Sequence, residues 1–274
     1  MHESTLSSDP WHVADRTLHS RFLLGTARYP SPEVLREALI ASGTQVVTVG
    51  LRRALAPDGD GGFVDGVRAA LAETGAHLLP NTAGCYCARE AIELAQMARE
   101  MYGTNWIKLE VIGDAHTLQP DPLDTVEAAR VLVREGFVVW PYCTDDLVTC
   151  RRLLDAGCAV LMPWGAPIGS GQGLLNPYAL RTLRERLPDA TLIVDAGLGA
   201  PSHAAQAMEL GYDAVLLSTA VGQARDPVGM ARAFRGAVEA GRAGWRAGMM
   251  GRRDTAVPST PVTGRPVLVD AAAT

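Results

Sequence analysis

Eight short apolar runs, each followed by a longer stretch of helical periodicity, constrain this chain more than any other feature. The runs are RFLLG (21–25), QVVTVG (45–50), HLLP (77–80), NWIKLE (105–110), FVVWPY (137–142), AVLMP (159–163), TLIVDA (191–196) and DAVLLS (213–218). They are continuously apolar rather than alternating, which predicts strands buried on both faces. The stretches at 31–43, 63–75, 87–103, 122–136, 145–157, 176–187, 201–211 and 226–244 carry helical spacing. Several begin on Ser, Asp or Asn with Pro in the first turn, and most stop at Gly. Eight uninterrupted strand–helix units predict the α/β class and, within it, a (β/α)8 TIM barrel. A doubly wound open sheet is the rival. Against it, GTARYPS (25–31), after the first strand, carries one Gly and no G-x-G-x-x-G. Residues 1–18 are polar, and 252–274 are rich in Pro, Thr and Ala without a period. Both read as flexible segments flanking a barrel domain over 19–251.

Charge and cysteine usage narrow the function classes. A net charge of −5 argues against nucleic acid as a partner, since phosphate backbones are bound by basic surfaces. The N-terminal residues lack the basic and apolar regions of a signal peptide, and no run of about 18 apolar residues exists to span a membrane. An odd count of five cysteines, scattered through apolar segments, points to reduced thiols in a cytoplasm. Cys85 and Cys87 form a C-x-C with no second pair at zinc-site spacing, so no metal is expected.

Lys108 is the chain's only lysine, every other member of the 25 Lys+Arg being arginine. Side chains alternate along a strand, so Trp106, Lys108 and Glu110 share one face while Ile107 and Leu109 suit the helix side. Lys108 and Glu110 therefore point into the barrel near the C-terminal end of the fourth strand, the end that carries active sites in this architecture. A self-satisfied Lys–Glu pair is the plain alternative, although Arg serves a structural pair better. Lysine can lose its proton and attack a carbonyl to form an imine, provided that burial among apolar groups releases the amine. Glu110 works against that release and suits later proton transfer. Asp195, near the end of TLIVDAG, is a second carboxylate candidate or a cap. Asn81 and Thr82 read as caps for a helix starting near Cys85.

Three glycine-rich loops follow late strands: PWGAPIGSGQG (163–173), DAGLGAPS (195–202) and STAVGQARDP (218–227). Barrels frequently bind phosphate between the loops after strands seven and eight, where backbone N–H groups and a helix N-terminus face the anion. Ala196 and Gly197 leave the backbone open, and Ser218 and Thr219 add hydroxyls. A branched side chain at Gly197 is expected to block the anion. Loops 163–173 and 195–202 lack bulky charge and read as room for an extended peptide at the barrel mouth. Lysine and loops together suggest imine catalysis on a phosphorylated keto sugar.

NTAGCYCAREA (81–91), GTNWIKLEVIGD (103–114), PIGSGQGLLNP (167–177), VDAGLGAPSHAAQAMELGYDAVLLSTA (194–220) and DPVGMARAF (226–234) closely resemble thiazole synthase of bacterial thiamine biosynthesis. The resemblance spans about residues 20 to 250. It implies a (β/α)8 barrel that builds a thiazole phosphate from 1-deoxy-D-xylulose 5-phosphate, dehydroglycine and sulfur, with no cofactor. The sulfur would come as a thiocarboxylate on the C-terminal Gly-Gly of a ubiquitin-like carrier protein. A dehydroglycine-producing enzyme is a second implied partner, and a homo-oligomer, a tetramer, is expected. The imine lysine matches Lys108, the acid–base carboxylates match Glu110 and Asp195, and the sugar-phosphate contacts fall on Gly169, Ala196, Gly197, Ser218 and Thr219. The family often has Asn at the position of Ser218, and GTGKY where this chain reads GTARY. A class I aldolase-like lysine enzyme and a binding-only barrel are the competing readings.

Overall fold

The structure is a computed structural model, described over residues 9–54 and 61–260, with backbone only at 53–54 and 61–65. Two short strands come first, β1 (Trp11–Val13) and β2 (Arg16–Leu18). They are followed by β3 (Phe22–Gly25), α1 (Pro32–Ser42), β4 (Val46–Gly50), α2 (Leu51–Ala54), α3 (Gly61–Thr74), β5 (His77–Asn81) and α4 (Ala88–Tyr102). The chain continues through β6 (Trp106–Leu109), α5 (Pro122–Arg134), β7 (Val138–Cys143), α6 (Leu147–Asp155), β8 (Val160–Pro163) and α7 (Pro177–Arg186). It ends with β9 (Thr191–Asp195), α8 (Pro201–Glu209), β10 (Ala214–Leu217), α9 (Thr219–Gly222) and α10 (Pro227–Ala247). Strands β3 to β10 pair in parallel in the order β10-β3-β4-β5-β6-β7-β8-β9 and close into a barrel. The eight expected units are all present.

Local chemistry explains the helix starts. The side chains of Ser31, Asp121, Asn176 and Asp226 each accept a first-turn backbone N–H, with Pro in the first turn of the helix that follows. α1 ends on Gly43 in the left-handed region at φ 62. Apolar residues divide between two cores, as the strand parity requires. Phe22, Leu24, Ile107, Leu109 and Val194 face the helices. Leu23, Val46, Leu79, Trp106, Trp140, Met162 and Ile193 fill the barrel interior, where the Trp106 and Trp140 rings sit 5.0 Å apart.

The N-terminal segment differs from expectation. Residues 11–18 are not a polar tail: β1 and β2 form an antiparallel hairpin with Trp11 opposite Leu18. Trp11, Val13 and Leu18 are buried with Val46, Trp106, Val160 and Ala214, the first residues of four barrel strands. The hairpin thus closes the barrel's N-terminal end. Residues 1–8 of the expected tail lie outside the described residues. At the other end, 248–260 are exposed without helix or strand, and 261–274 lie outside the described residues.

Candidate active site

Lys108 lies on β6, with Asn81 of β5 and Trp140 of β7 as its neighbours in register. Its Nζ is 2.6 Å from Asp195 Oδ2 and 3.2 Å from Glu110 Oε1. All three side chains are buried, and the Nζ lies 5.9 Å from the centre of the Tyr142 ring. The contact with Asp195 is the shorter of the ammonium's two ion pairs. Burial opposes the ammonium, but Asp195 and then Glu110 outweigh it, and the Lys108 pKa lies above its ordinary value. Burial pushes Asp195 up to about 6; Lys108 holds it down against that, and Glu110 adds to the rise. Burial acts in the expected direction, but the opposition expected from Glu110 is joined by that of Asp195, and the amine is not released. The resting lysine is charged.

Glu110 is held from its backbone. Its N–H donates to Thr82 Oγ1 at 2.8 Å, and that hydroxyl donates to the Glu110 carbonyl at 2.8 Å. Thr82 is therefore not a helix cap. α4 starts later, after Cys87, and its Ala88 N–H donates to Asp124. Asn81 Oδ1 accepts from the Ala83 N–H within its own turn. The sequence hid the role of Thr82 because a hydroxyl after a strand is most simply read as a cap.

Above this floor opens a cavity of about 660 Å³, a size usual for small-ligand sites. Gly169, Ala196, Gly197, Ser218 and Thr219 all line it, together with Lys108, Glu110 and Asp195. The structure thus brings every expected residue to one chamber. Ala196 and Gly197 both have positive φ, 73° and 78°. A Cβ on Gly197 would lie 2.4 Å from Ala166, so this glycine lets one loop pack on another while it lines the cavity. Gly173 N–H donates to the Gly197 carbonyl at 2.8 Å, and Gly165 N–H to the Ala196 carbonyl at 3.2 Å. A Cβ on Gly199 would lie 2.5 Å from Gly171. The two loops expected to leave room for a peptide are stitched together at these points, and 169–172, Gly199 and Ser202 stand exposed at the rim.

Two departures from the family pattern touch each other. Ser218 Oγ accepts from the Ala27 N–H at 3.1 Å and donates to the Ala27 carbonyl at 3.2 Å. A Cβ on Gly25 would lie 2.6 Å from Ser218 Cβ. The Ser218 hydroxyl is a clasp between the first and last barrel strands, with its single proton already directed. Sequence reading also missed Thr48 and Arg52, which line the same cavity. Their position at and just beyond the end of an apolar strand was the available signal.

Fold and floor together define a barrel enzyme whose chemistry sits at the C-terminal end of the strands. The family model described as "Thiazole biosynthesis protein ThiG" matches residues 12–261. Thiazole synthase of Coxiella burnetii (strain RSA 493 / Nine Mile phase I) is 55% identical over 260 residues, 95% of this chain and 99% of that one. Thiazole synthase of Rhodopseudomonas palustris (strain BisB5) is 60% identical over 252 residues, 92% and 96% of the two chains. Among solved structures, the BexX/CysO complex of Amycolatopsis orientalis matches with a TM-score of 0.80 and 34% identity, covering 90% of this chain and 100% of that one. The chain belongs to the thiazole synthases of bacterial thiamine biosynthesis.

Proposed function

We propose that Lys108 forms an imine with 1-deoxy-D-xylulose 5-phosphate and that the barrel assembles the thiazole phosphate on this adduct. The observation that carries the reading is the chain's single lysine, buried between two carboxylates under a cavity rimmed by small-residue loops. The sugar's phosphate sits over Gly169, Ala196, Gly197, Ser218 and Thr219, and its ketone reaches down to Lys108. Asp195 takes the ammonium proton, the amine adds to C2, and water leaves to give the imine. Glu110 and Asp195 then move protons through the enaminol, so that the Lys108 amine stays on C2 and a ketone forms at C3. A thiocarboxylated carrier protein adds its sulfur to that ketone, its acyl group shifts to the ketone oxygen and leaves as the carrier's carboxylate, water is lost, dehydroglycine adds, and ring closure expels the Lys108 amine. That the A. orientalis relative was solved as a complex of BexX with CysO supports a protein partner for this chain. We place this chemistry in the cytoplasm; among the described residues no helix is long and apolar enough to cross a membrane.

The test is intact mass after borohydride reduction with the pentulose phosphate. The protein should gain one reduced sugar, and Lys108→Arg should fold yet gain nothing, because charge is kept while the nucleophile is lost. Labelling of the Arg variant at the wild-type level would remove imine chemistry from this reading.

A further inference from the structure

The proposed sugar site uses the floor and the loops after β8, β9 and β10, and it leaves one wall of the cavity without a role. That wall is built by β4 and β5 and carries Arg52, Asn81 and Ala83. In the closed barrel β4 and β5 stand opposite β8 and β9, so the wall faces the small-residue loops across the mouth. Arg52 and Lys108 are the two cations lining the cavity among the described residues.

Arg52 is held by one edge only. Its Nη2 lies 3.3 Å from Glu90 Oε2 and 3.8 Å from Cys85 Sγ, and among the described residues Nε and Nη1 have no acceptor. Glu90 Oε2 is itself shared with the Tyr86 N–H at 3.1 Å. The arginine stem lies across Gly84, where a Cβ would come within 3.3 Å of its Cδ. Asn81 is the register partner of Lys108 and lines the same cavity as Arg52. Its Oδ1 is taken by Ala83, which leaves the amide NH2 as a donor.

We propose that Arg52 and Asn81 form a carboxylate subsite for the second organic substrate, a small α-imino acid held beside the lysine adduct. The inference rests on the proposed function for the identity of that substrate. Its physical basis is the charge of the chamber. A carboxylate entering here meets the net negative charge that Lys108, Glu110 and Asp195 carry together, which proton transfer among them does not change. Arg52 is the other cation of the cavity, on the wall away from the phosphate loops. Its planar fork matches a carboxylate in a way that a lysine does not.

Oxamate, an unreactive compound that presents a carboxylate beside a planar amide, reads the subsite without sugar chemistry. Calorimetric titration into the full-length protein should show binding that weakens about tenfold or more in Arg52→Gln, the loss of one charge-assisted pair. Glu90→Gln removes the competing anion and should tighten it. In parallel, borohydride trapping of the sugar phosphate is followed in the same variants and should proceed as in the unaltered protein. Oxamate affinity unchanged in both variants overturns the subsite. So does slower sugar trapping in Arg52→Gln, since Arg52 would then serve the phosphate. Failure of the unaltered protein to trap sugar counts against the proposed function alone, because the oxamate arm does not depend on it.

Discussion

Lys108, Glu110 and Asp195 hold one positive and two negative charges in a buried chamber, and the excess carboxylate sets how the centre titrates. A second buried carboxylate is costly beside the first, and Asp195 answers with a pKa near 6. In the proposed reaction Asp195 is the nearest base to the ammonium, so the imine-forming step needs its ionised form. The rate of sugar trapping should therefore rise through about pH 6, and Asp195→Asn should lose that inflection and slow trapping on the order of 10²-fold or more. Timed borohydride quenches followed by intact mass, across about pH 5 to 8, provide the measurement. An unchanged inflection in the Asn variant assigns it to another group. At this scale strand parity sufficed to turn Lys108 and Glu110 inward. Asp195 was harder to read, because a carboxylate at a strand end serves a cap and a catalytic pair equally well. Arg52 was invisible, since its use depends on which wall of the barrel it faces.

Among elements, the loops after β8 and β9 behave as one unit rather than two. Backbone hydrogen bonds from Gly165 and Gly173 reach across to Ala196 and Gly197, and the close approaches at Gly197 and Gly199 leave no space for a Cβ. Gly169 differs: it has positive φ, but a Cβ there would touch nothing within 4 Å. The two glycines thus separate backbone strain from loop packing. Gly169→Ala should cost about 1 kcal/mol of stability, the strain alone. Gly197→Ala should cost about 2 kcal/mol more, since Ala166 must also move, and it should weaken sugar-phosphate binding by displacing the loop. Urea unfolding of the two variants checks this; equal costs would mean that the loops relax apart easily. The sequence marked these positions as glycine-rich but could not say why. A glycine needed for φ, one needed for contact and one left open all look alike before the loops are folded together.

At the scale of the whole molecule the barrel has a reactive end and a closed end, and the closed end was the less legible. WHV and RTL are three residues each, too short to show a strand period, and their polar neighbours made the segment read as a tail. Only the folded barrel supplies their partners. Trp11 donates its ring N–H to the Ser20 carbonyl at 3.0 Å and packs on the first residues of four barrel strands, with the Arg21 guanidinium 5.8 Å from its ring centre. Asp9 binds Arg21 at 3.0 Å and Arg242 at 2.6 Å, which ties the hairpin both to β3 and to α10. The hairpin therefore plugs an opening, and Asp9 just before it fastens to the last helix of the described chain. Removing the Trp11 side chain leaves a cavity beneath the Trp106–Trp140 pair, so Trp11→Ala should cost about 3–5 kcal/mol of global stability. The cost should appear as a lower urea midpoint with an unchanged slope, because the same surface is exposed on unfolding. Sugar trapping, well below the unfolding transition, should stay as in the unaltered protein, since the lysine centre is at the other end of the strands. A loss under about 1 kcal/mol would mean that the hairpin merely rests on a barrel already complete without it. Slower trapping at full folding would mean that the barrel interior transmits the change from floor to mouth, and that closed end and reactive end are not separable.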